Sequence, residues 1–271
     1  MADKDAPSFA LVIPARYEST RFPGKPLAEL RGASGQAKPL IRRSWEAAVG
    51  AGPADHVWVA TDDRRVADAV HQFGGQVVMT SEQCRNGTER CAEAIGRIPD
   101  CPDIIVNFQG DAPLTPAHLP GRLAALLADE PSAAMATPAL RCSQSTYRHL
   151  EIDSAAGRVG GTTVVFNRHH EALYFSKRVL PYIPPETPSA ADQVHLHLGL
   201  YAYRREALRQ YAESPPSALE LLEGLEQLRF LDQGQAVKVL PLDPVGWDCI
   251  ELNNSSDIAP IEAILRQRGI E

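Results

Sequence analysis

The sequence predicts a doubly wound α/β fold, built on a mostly parallel, Rossmann-like sheet with a smaller, later α+β region. In the first half of the chain, short apolar runs alternate with stretches whose apolar residues recur at helical spacing. This order is typical of a parallel sheet with helices on both faces. From about residue 133 the alternation becomes less regular, and strands begin to follow one another directly. We therefore expect one domain over residues 1–271, in which residues 142–203 form an inserted subregion.

The first half of the chain contains the elements that predict the parallel sheet. Strands are expected at residues 9–13, 56–60, 76–79 and 103–108, and helices at 39–50, 65–73 and 86–98. The last of these strands is an almost continuous apolar run, which favours a position in the middle of a parallel sheet. Asn86 is a good N-cap for the helix that follows it.

The second half predicts further strands and helices in a less regular order. Strands are expected at residues 133–139, 161–166, 172–175, 198–203, 236–240 and 249–252, and helices at 119–127, 204–211, 219–230 and 258–268. A proline-rich stretch at residues 181–191 predicts a long loop, which suggests a mobile or interface segment.

The composition excludes several classes of protein. The chain has 271 residues and a formal net charge of −7, which argues against a general nucleic-acid binder. No apolar run approaches the roughly 20 residues that a membrane span needs, and the polar start lacks the apolar core of a signal peptide. The five cysteines include no CxxC pair, so we expect reduced thiols without disulfides or a zinc site. These features predict a cytoplasmic protein with no membrane partner.

A cationic loop follows the first predicted strand. Pro14 ends this strand because it has no N–H group for the ladder, and Arg16, Arg21 and Lys25 follow closely. Gly24 allows a ligand to approach the backbone. Open α/β sheets bind ligands at the carboxyl ends of their strands, and lysine and arginine hold phosphates by charge and hydrogen bonds. The loop therefore predicts a polyphosphate site, with a solvated basic loop as the alternative.

An aspartate follows the predicted central strand. Asp111 lies in the segment QGDAP at residues 109–113, directly after the strand at 103–108. In this position a carboxylate faces the ligand crevice, where Mg²⁺ can bridge it to phosphate oxygens. The alternative is a simple turn, because the Gly-Asp-x-Pro order is also favourable in turns.

The stretch IPARYESTRFPGKPL at residues 13–27 resembles the opening signature of the sugar-acid cytidylyltransferases, and most closely that of the CMP-Kdo synthetase family. The similarity extends from about Leu11 to about Ile264. The resemblance implies a nucleotidyltransferase that joins the cytidylyl group of CTP to the anomeric hydroxyl of a 2-keto-3-deoxy sugar acid, such as Kdo. It implies Mg²⁺ as the cofactor and pyrophosphate as the second product. It also implies a homodimer, whose interface we expect within residues 142–203.

The resemblance assigns roles to residues around the predicted strand ends. Asp111 matches the metal-binding aspartate of QGDEP or QGDQP, although Ala112 stands at the fourth position. The segment NGTER is similar to SGTDR or SGTER, which lies at the cytidine, with Asn86 in place of serine; a plain helix cap is the alternative. The catalytic residues that the resemblance implies are Arg16, Lys25 and Asp111. The nucleotide-binding residues that it implies are Ala15, Arg16, Ser19, Lys25, Thr61, Asp62, Asn86, Gly87, Thr88, Arg90 and Gln109.

Three later segments resemble the sugar-acid pocket of the family. YFSK is similar to YFSR and places Lys177 where the family has arginine, so a point charge would meet the carboxylate of the acceptor. HLGLYAY is similar to HLGIYAY, and we interpret His197 as a hydrogen-bonding residue, although His195 and His197 alone could suggest a metal pair. LEQLR is the third segment, with a solvated helix face as the alternative for Glu226. The substrate-binding residues that the resemblance implies are Lys177, His197, Tyr201, Glu226 and Gln227.

The resemblance is weakest at the expected second metal ligand. The family carries GVDTPEDL here, and the matching stretch reads ELNNSSDI at residues 251–258. Counting back from the last predicted helix places Asn253 on the metal-binding aspartate; its neutral amide holds Mg²⁺ more weakly than a carboxylate. A rival register places Asp248 there. The segment NPNAVKVV is also replaced, by VGGTTVV at residues 159–165, which leaves the exact acceptor open.

These departures leave alternatives. The same transfer could use another 2-keto acid, such as an amino-Kdo or a nonulosonic acid, as the changes at Thr162, Thr163 and Lys177 suggest. A cytidine-nucleotide-binding protein without catalysis is a second alternative, suggested by Ala112 and Asn253. A dinucleotide-dependent oxidoreductase is disfavoured because no GxGxxG motif follows the first predicted strand.

Overall fold

A computed structural model describes residues 7–18, 22–52, 56–184, 186–244, 246–247 and 249–271. The predicted residue Ser19 and the rival metal ligand Asp248 lie outside the described residues. The strands are β1 (Phe9–Pro14), β2 (Glu29–Arg31), β3 (Ala37–Pro39), β4 (Val57–Thr61), β5 (Gln76–Met79), β6 (Ile104–Phe108), β7 (Ala133–Arg141), β8 (Thr163–Phe166), β9 (Ala172–Ser176), β10 (His195–His197), β11 (Leu200–Arg204) and β12 (Ala236–Leu242). The helices are α1 (Leu40–Val49), α2 (Arg64–Gln72), α3 (Gly87–Ile95), α4 (Leu119–Asp129), α5 (Gln144–Ala155), α6 (Arg205–Glu213), α7 (Ala218–Glu223), α8 (Leu228–Asp232) and α9 (Ile258–Gln267).

The strands of the first half form the parallel part of one large sheet. β1 lies between β4 and β6 and is parallel to both, with Leu11 paired to Val57 on one side and to Val106 on the other. β5 continues the parallel order beyond β4. The carboxyl ends of β1, β4, β5 and β6 therefore meet at the same edge of the sheet, where an open α/β sheet binds its ligand.

The strands of the second half extend this sheet in a mixed arrangement. β11 is antiparallel to both β6 and β7, and β12 is parallel to β7. Beyond β7 the order continues through β10, β8 and β9, each antiparallel to its neighbour. The predicted α/β fold is confirmed, and residues 142–203 supply α5 and the strands β8, β9 and β10 at one end of the sheet, as well as most of β11 in its middle.

Helices cover both faces of the sheet. One face packs against α1, α2 and α4, through buried residues such as Ile41, Val70 and Leu123. The other face packs against α3, α6 and α8, through Cys91, Leu208 and Phe230. A smaller cluster joins α9 to the β2–β3 hairpin. Among the helices of the described residues, none has the length and apolar character needed to span a membrane.

Two predicted elements are wrong. The helix expected at residues 219–230 is interrupted, because Gly224 adopts a left-handed conformation (φ 62°) that ends α7 before α8 begins. The strand expected at residues 249–252 does not form, although its apolar Leu252 is fully buried. The Leu252 N–H donates to the Asp111 carbonyl at 2.8 Å, so residues 249–252 pack against the loop after β6 without joining the sheet.

Candidate active site

A cleft of about 250 Å³ opens at the carboxyl ends of β1 and β6. It brings together nine residues that the sequence predicts for the nucleotide and metal sites. These residues are Ala15, Arg16, Lys25, Asn86, Gly87, Arg90, Gln109, Asp111 and Asn253. The cleft therefore unites four segments that are far apart in the sequence: the cationic loop, the start of α3, the loop after β6 and the stretch before α9.

An ion pair between Lys25 and Asp111 lies in this cleft. Lys25 Nζ is 2.5 Å from Asp111 Oδ2, and both side chains are largely buried, with 17% and 22% exposure. Gly24 adopts a left-handed conformation (φ 72°) and begins the short 3₁₀ turn that carries Lys25. Arg16 is exposed at the same cleft, so two cations border one carboxylate. This arrangement suits a polyphosphate together with a divalent cation.

The loop that carries Asp111 is anchored on two sides. Ser44 Oγ on α1 donates to the Gly110 carbonyl at 2.9 Å, and the Leu252 N–H donates to the Asp111 carbonyl. A side chain at Gly110 would place its Cβ 2.7 Å from the Pro14 carbonyl oxygen, so only glycine allows this close approach of β1 and β6. The bond from Leu252 brings Asn253 to the side of the cleft that Asp111 occupies.

The amino terminus of α3 forms another wall of the cleft. Asn86 caps the helix as predicted, because its Oδ1 accepts a hydrogen bond from Glu89 N at 2.8 Å. Thr88 is fully buried, and its N–H donates to Glu226 Oε2 at 2.9 Å. The structure thus places Thr88 against a predicted acceptor-binding residue, behind the surface of the cleft.

Arg90 and Asp62 form a buried ion pair at the same edge of the sheet. Arg90 Nη2 lies 2.6 Å from Asp62 Oδ2, and Arg90 Nη1 donates to Thr80 Oγ1 at 2.5 Å. Arg90 is 2% exposed yet lines the cleft. Thr61 is buried at the end of β4, where its hydroxyl accepts a hydrogen bond from Asp63 N. Asp62 and Thr61 therefore support the cleft, and direct nucleotide contact by these two residues stays a prediction.

Glu226 and Gln227 lie between α7 and α8, and Glu226 contacts the start of α3. Burial raises the pKa of Glu226, although the hydrogen bond from Thr88 N favours its ionised form. Gln227 is 1% exposed, and neither its Oε1 nor its Nε2 has a hydrogen-bond partner in the part of the chain that the structure describes. A buried amide without partners is costly, and a contact between this side chain and the acceptor stays a prediction.

Tyr201, a predicted acceptor residue, lies in the buried cluster on one face of the sheet. It is buried on β11, where its ring is stacked on Tyr203 and tilted by 40° to His197, with centroids 5.8 and 5.5 Å apart. Burial raises the pKa of Tyr201, and the nearby negative charges of Glu226 and Glu251 act in the same direction. These contacts join two predicted acceptor residues, Tyr201 and His197, and bring Tyr201 close to a third, Glu226.

Two predicted acceptor residues have different environments. His197 is buried, and its Nε2 forms a hydrogen bond with Thr137 Oγ1 at 2.9 Å. Among the described residues, no group of three or more metal-binding side chains includes His195 or His197. Lys177 is exposed outside the lining of the cleft, and its N–H donates to Glu223 Oε2 at 3.0 Å.

Sequence reasoning missed Glu251 and Asn107. An added Cβ at Gly199 would lie 2.7 Å from Glu251 Oε1 and 3.4 Å from Gln109 Cγ, so Glu251 approaches the back of the active site. Asn107 is fully buried on β6, with its Nδ2 near Gly87 and no partner for either polar atom within the described residues. Gly199, which lies between β10 and β11 in the segment HLGLYAY, was the sequence signal for the close approach of Glu251.

His197 predicts a pH dependence of stability. Burial lowers its pKa from 6.5 to about 3. Between these values the unfolded chain binds more protons than the folded chain, so the free energy of unfolding falls as the pH falls below 6.5. The slope reaches at most about 1.4 kcal/mol per pH unit. Urea unfolding of the native chain and of His197→Gln between pH 7 and pH 5 tests this, and equal slopes for the two chains would contradict it.

Comparison with known proteins shows the family to which the chain belongs. A family model described as cytidylyltransferase matches residues 10–238. The chain belongs to the cytidylyltransferase family. A relative from Maricaulis maris named 3-deoxy-manno-octulosonate cytidylyltransferase is 43% identical over 262 residues, which cover 97% of this chain and 98% of the relative. A relative of the same name from Zea mays is 36% identical over 96% of this chain and 82% of its own length.

A solved structure extends the family comparison to three dimensions. The structure of CMP:2-keto-3-deoxy-manno-octonic acid synthetase complexed with CTP is 32% identical to this cytidylyltransferase, with a TM-score of 0.78. The match covers 96% of this chain and 98% of the other. The resemblance inferred from the motifs and the α/β fold are both confirmed.

Proposed function

We propose that this chain transfers the cytidylyl group of CTP to the anomeric hydroxyl of 3-deoxy-manno-octulosonate (Kdo) and releases pyrophosphate. The observation that carries this proposal is the cleft, in which Arg16, Lys25 and Asp111 meet the amino terminus of α3. Relatives that align over nearly their whole length carry the name of this activity.

The chemistry needs positioning and charge neutralisation more than a covalent intermediate. The anomeric oxygen attacks the α-phosphorus of CTP in line with the departing pyrophosphate. Arg16 and Lys25 would hold the triphosphate, because both border the cleft and carry the charge that its oxygens require. Asn86 and Gly87, which line the same cleft at the start of α3, would contact the cytidine.

The residues at the cleft fit a magnesium ion. Among the described residues that line the cleft, Asp111 is the one carboxylate, and Asn253 adds an amide oxygen beside it. Mg²⁺ is commonly bound by one or two carboxylates together with substrate phosphates, so this sparse set is sufficient when CTP is present. When bound there, Mg²⁺ would neutralise phosphate charge and favour the ionised form of the attacking hydroxyl.

The acceptor is bound by the residues around Tyr201. Gln227 would give its unpartnered amide to a sugar hydroxyl, and Glu226 would accept a hydrogen bond from another. Lys177, which lies outside the lining of the cleft, would meet the acceptor carboxylate as a point charge.

The homodimer and the cytoplasmic location belong to the same proposal. Large apolar side chains are exposed within residues 142–203, including Ile152, Leu173 and Tyr182, the last at 81%. Exposed apolar patches mark interaction surfaces, and a second copy of the chain would cover this one. The cytoplasmic location is supported by the cysteines, since the five in the sequence include no CxxC pair. Sedimentation equilibrium tests the dimer.

Pyrophosphate release tests the proposed function. The chain is assayed with CTP, Mg²⁺ and Kdo, and in parallel with an amino-Kdo and a nonulosonic acid. Turnover with Kdo at the highest kcat/KM supports the proposal. Turnover with another acid alone would overturn the acceptor, and CTP binding without turnover on any acid would overturn the catalytic role.

Asn253→Asp is expected to strengthen divalent-cation binding at the cleft. The change adds a carboxylate beside Asp111 at nearly constant volume, so the dissociation constant for Mn²⁺ in the presence of CTP should fall by roughly tenfold. Electron paramagnetic resonance of free Mn²⁺ measures this without turnover. Asn167→Asp, in the loop between β8 and β9, is the matched control. An unchanged dissociation constant would place the second ligand elsewhere.

A further inference from the structure

A buried network joins α6, α7 and α8 to the turn that begins α3. Its centre is Tyr211, which is fully buried on α6. The Tyr211 hydroxyl accepts a hydrogen bond from Asn86 Nδ2 at 2.9 Å and donates one to Glu220 Oε1 at 3.1 Å. Asn86 lines the cleft, whereas Tyr211 does not. The network therefore has one end at the nucleotide side of the cleft and the other in the protein interior.

Arg229 fixes the position of Glu220 and Tyr211. Its Nε and Nη2 each donate to one oxygen of Glu220 at 2.6 Å, and its guanidinium lies 3.8 Å from the centroid of the Tyr211 ring. Arg229 is 1% exposed, and Glu220 also caps α7 through Ser217. A two-point ion pair defines direction as well as distance, so the Tyr211 hydroxyl is held toward Asn86.

The side chain of Asn86 is fully used by protein contacts. Its Oδ1 caps α3 at Glu89 N, while its Nδ2 donates to Tyr211 and, at 3.3 Å, to Glu220 Oε1. A serine, which the related segments carry at this position, caps a helix equally well but has only one O–H to donate. In this chain the amide thus joins the helix cap to α6 and α7.

We propose that Tyr211 is a positioning residue for the nucleotide, which holds the Asn86–Gly87 turn in place through its hydroxyl. The proposal rests on the proposed function, since it takes CTP as the ligand of the cleft. The bond from Thr88 N to Glu226 is a separate connection, and it leads to the acceptor side. Loss of the Tyr211 hydroxyl therefore weakens CTP binding and leaves acceptor binding nearly unchanged.

The test is Tyr211→Phe in the full chain, which keeps the ring beneath Arg229 and removes only the hydroxyl. The dissociation constant for CTP, measured by calorimetry with Mg²⁺, should rise about fivefold to tenfold, the effect of one lost buried hydrogen bond. Steady-state assays should show a matching rise in KM for CTP. They should also show kcat and KM for Kdo within about twofold of native, because the hydroxyl bonds to Asn86 and Glu220 and to none of the predicted acceptor-binding residues.

A double-mutant cycle shows whether the hydroxyl acts through Asn86. Asn86→Ser keeps the helix cap and removes the amide donor, so it should weaken CTP binding by a similar factor. The double variant should then bind CTP no more weakly than the weaker single variant, because both changes break the same contact. If the dissociation constant for CTP in the double variant rises by the product of the two single-variant factors, the hydroxyl acts by another route and the proposal is overturned.

The matched control is Tyr147→Phe on α5. Tyr147 is 7% exposed and does not line the cleft, so this change removes the hydroxyl of a buried tyrosine away from the nucleotide. Native CTP affinity in this control together with weakened affinity in Tyr211→Phe supports positioning. A Tyr211→Phe chain that binds CTP as native does, even with a lower melting temperature, overturns the inference alone. A native chain that does not bind CTP overturns the proposed function with it.

Discussion

Replacing Asp111 with asparagine is expected to lower the rate of pyrophosphate release at saturating CTP and Kdo by about a thousandfold. Asp111 is the one carboxylate among the described residues that line the cleft, and its partner Lys25 is 2.5 Å away. The asparagine keeps the volume and the backbone contact to Leu252 but removes the negative charge. Without that charge the cleft keeps only cations and neutral groups, so it loses its affinity for a divalent cation.

The expected loss is in turnover and not in folding. The backbone anchors of the Asp111 loop come from Ser44 and Leu252, and neither involves the carboxylate. Circular dichroism should therefore show a native spectrum for Asp111→Asn. Asp192→Asn is the matched control, since it breaks an exposed pair with Arg141 of similar length, 2.6 Å, far from the cleft. Turnover of Asp111→Asn within tenfold of native would assign the essential charge to another residue.

The parts of the site that the sequence predicted are those fixed by strand ends. Arg16, Lys25, Gln109 and Asp111 follow β1 and β6, and the parallel order of these strands brings their carboxyl ends together. The cap at Asn86 was predictable for a similar reason, because it depends on the residues directly after it. Local order and parallel pairing together were enough to predict most of the cleft.

The parts that sequence reasoning missed depend on distant partners. The bond from Thr88 N to Glu226 joins residues 138 positions apart, and no local pattern indicates it. Leu252 looked like a strand residue because it is apolar and flanked by polar residues, but its hydrogen bond goes to the loop of Asp111. Gly224 was overlooked within a leucine-rich stretch, although its left-handed conformation separates α7 from α8 and so places Glu226 between them.

Arg90→Met is expected to cause the largest loss of stability among single changes near the cleft. Arg90 is 3% exposed in its side chain, and the change leaves the carboxylate of Asp62, 12% exposed, without its cation. Breaking a buried pair in this way costs about 3–5 kcal/mol, because the remaining charge stays desolvated. Guanidinium chloride unfolding measures the loss as a lower midpoint at an unchanged slope.

A second change distinguishes two contributions to the lost free energy of unfolding: the unpaired charge of Asp62 and the lost packing of Arg90. In the Arg90→Met background, Asp62→Asn removes the charge that has no partner, so it should restore more than half of the lost free energy of unfolding. Arg209→Met is the matched control, since it breaks an exposed pair with Glu206 at nearly the same distance, 2.7 Å, and should change the midpoint far less. Equal losses for Arg90→Met and Arg209→Met would contradict the expected cost of leaving the Asp62 carboxylate buried without its cation.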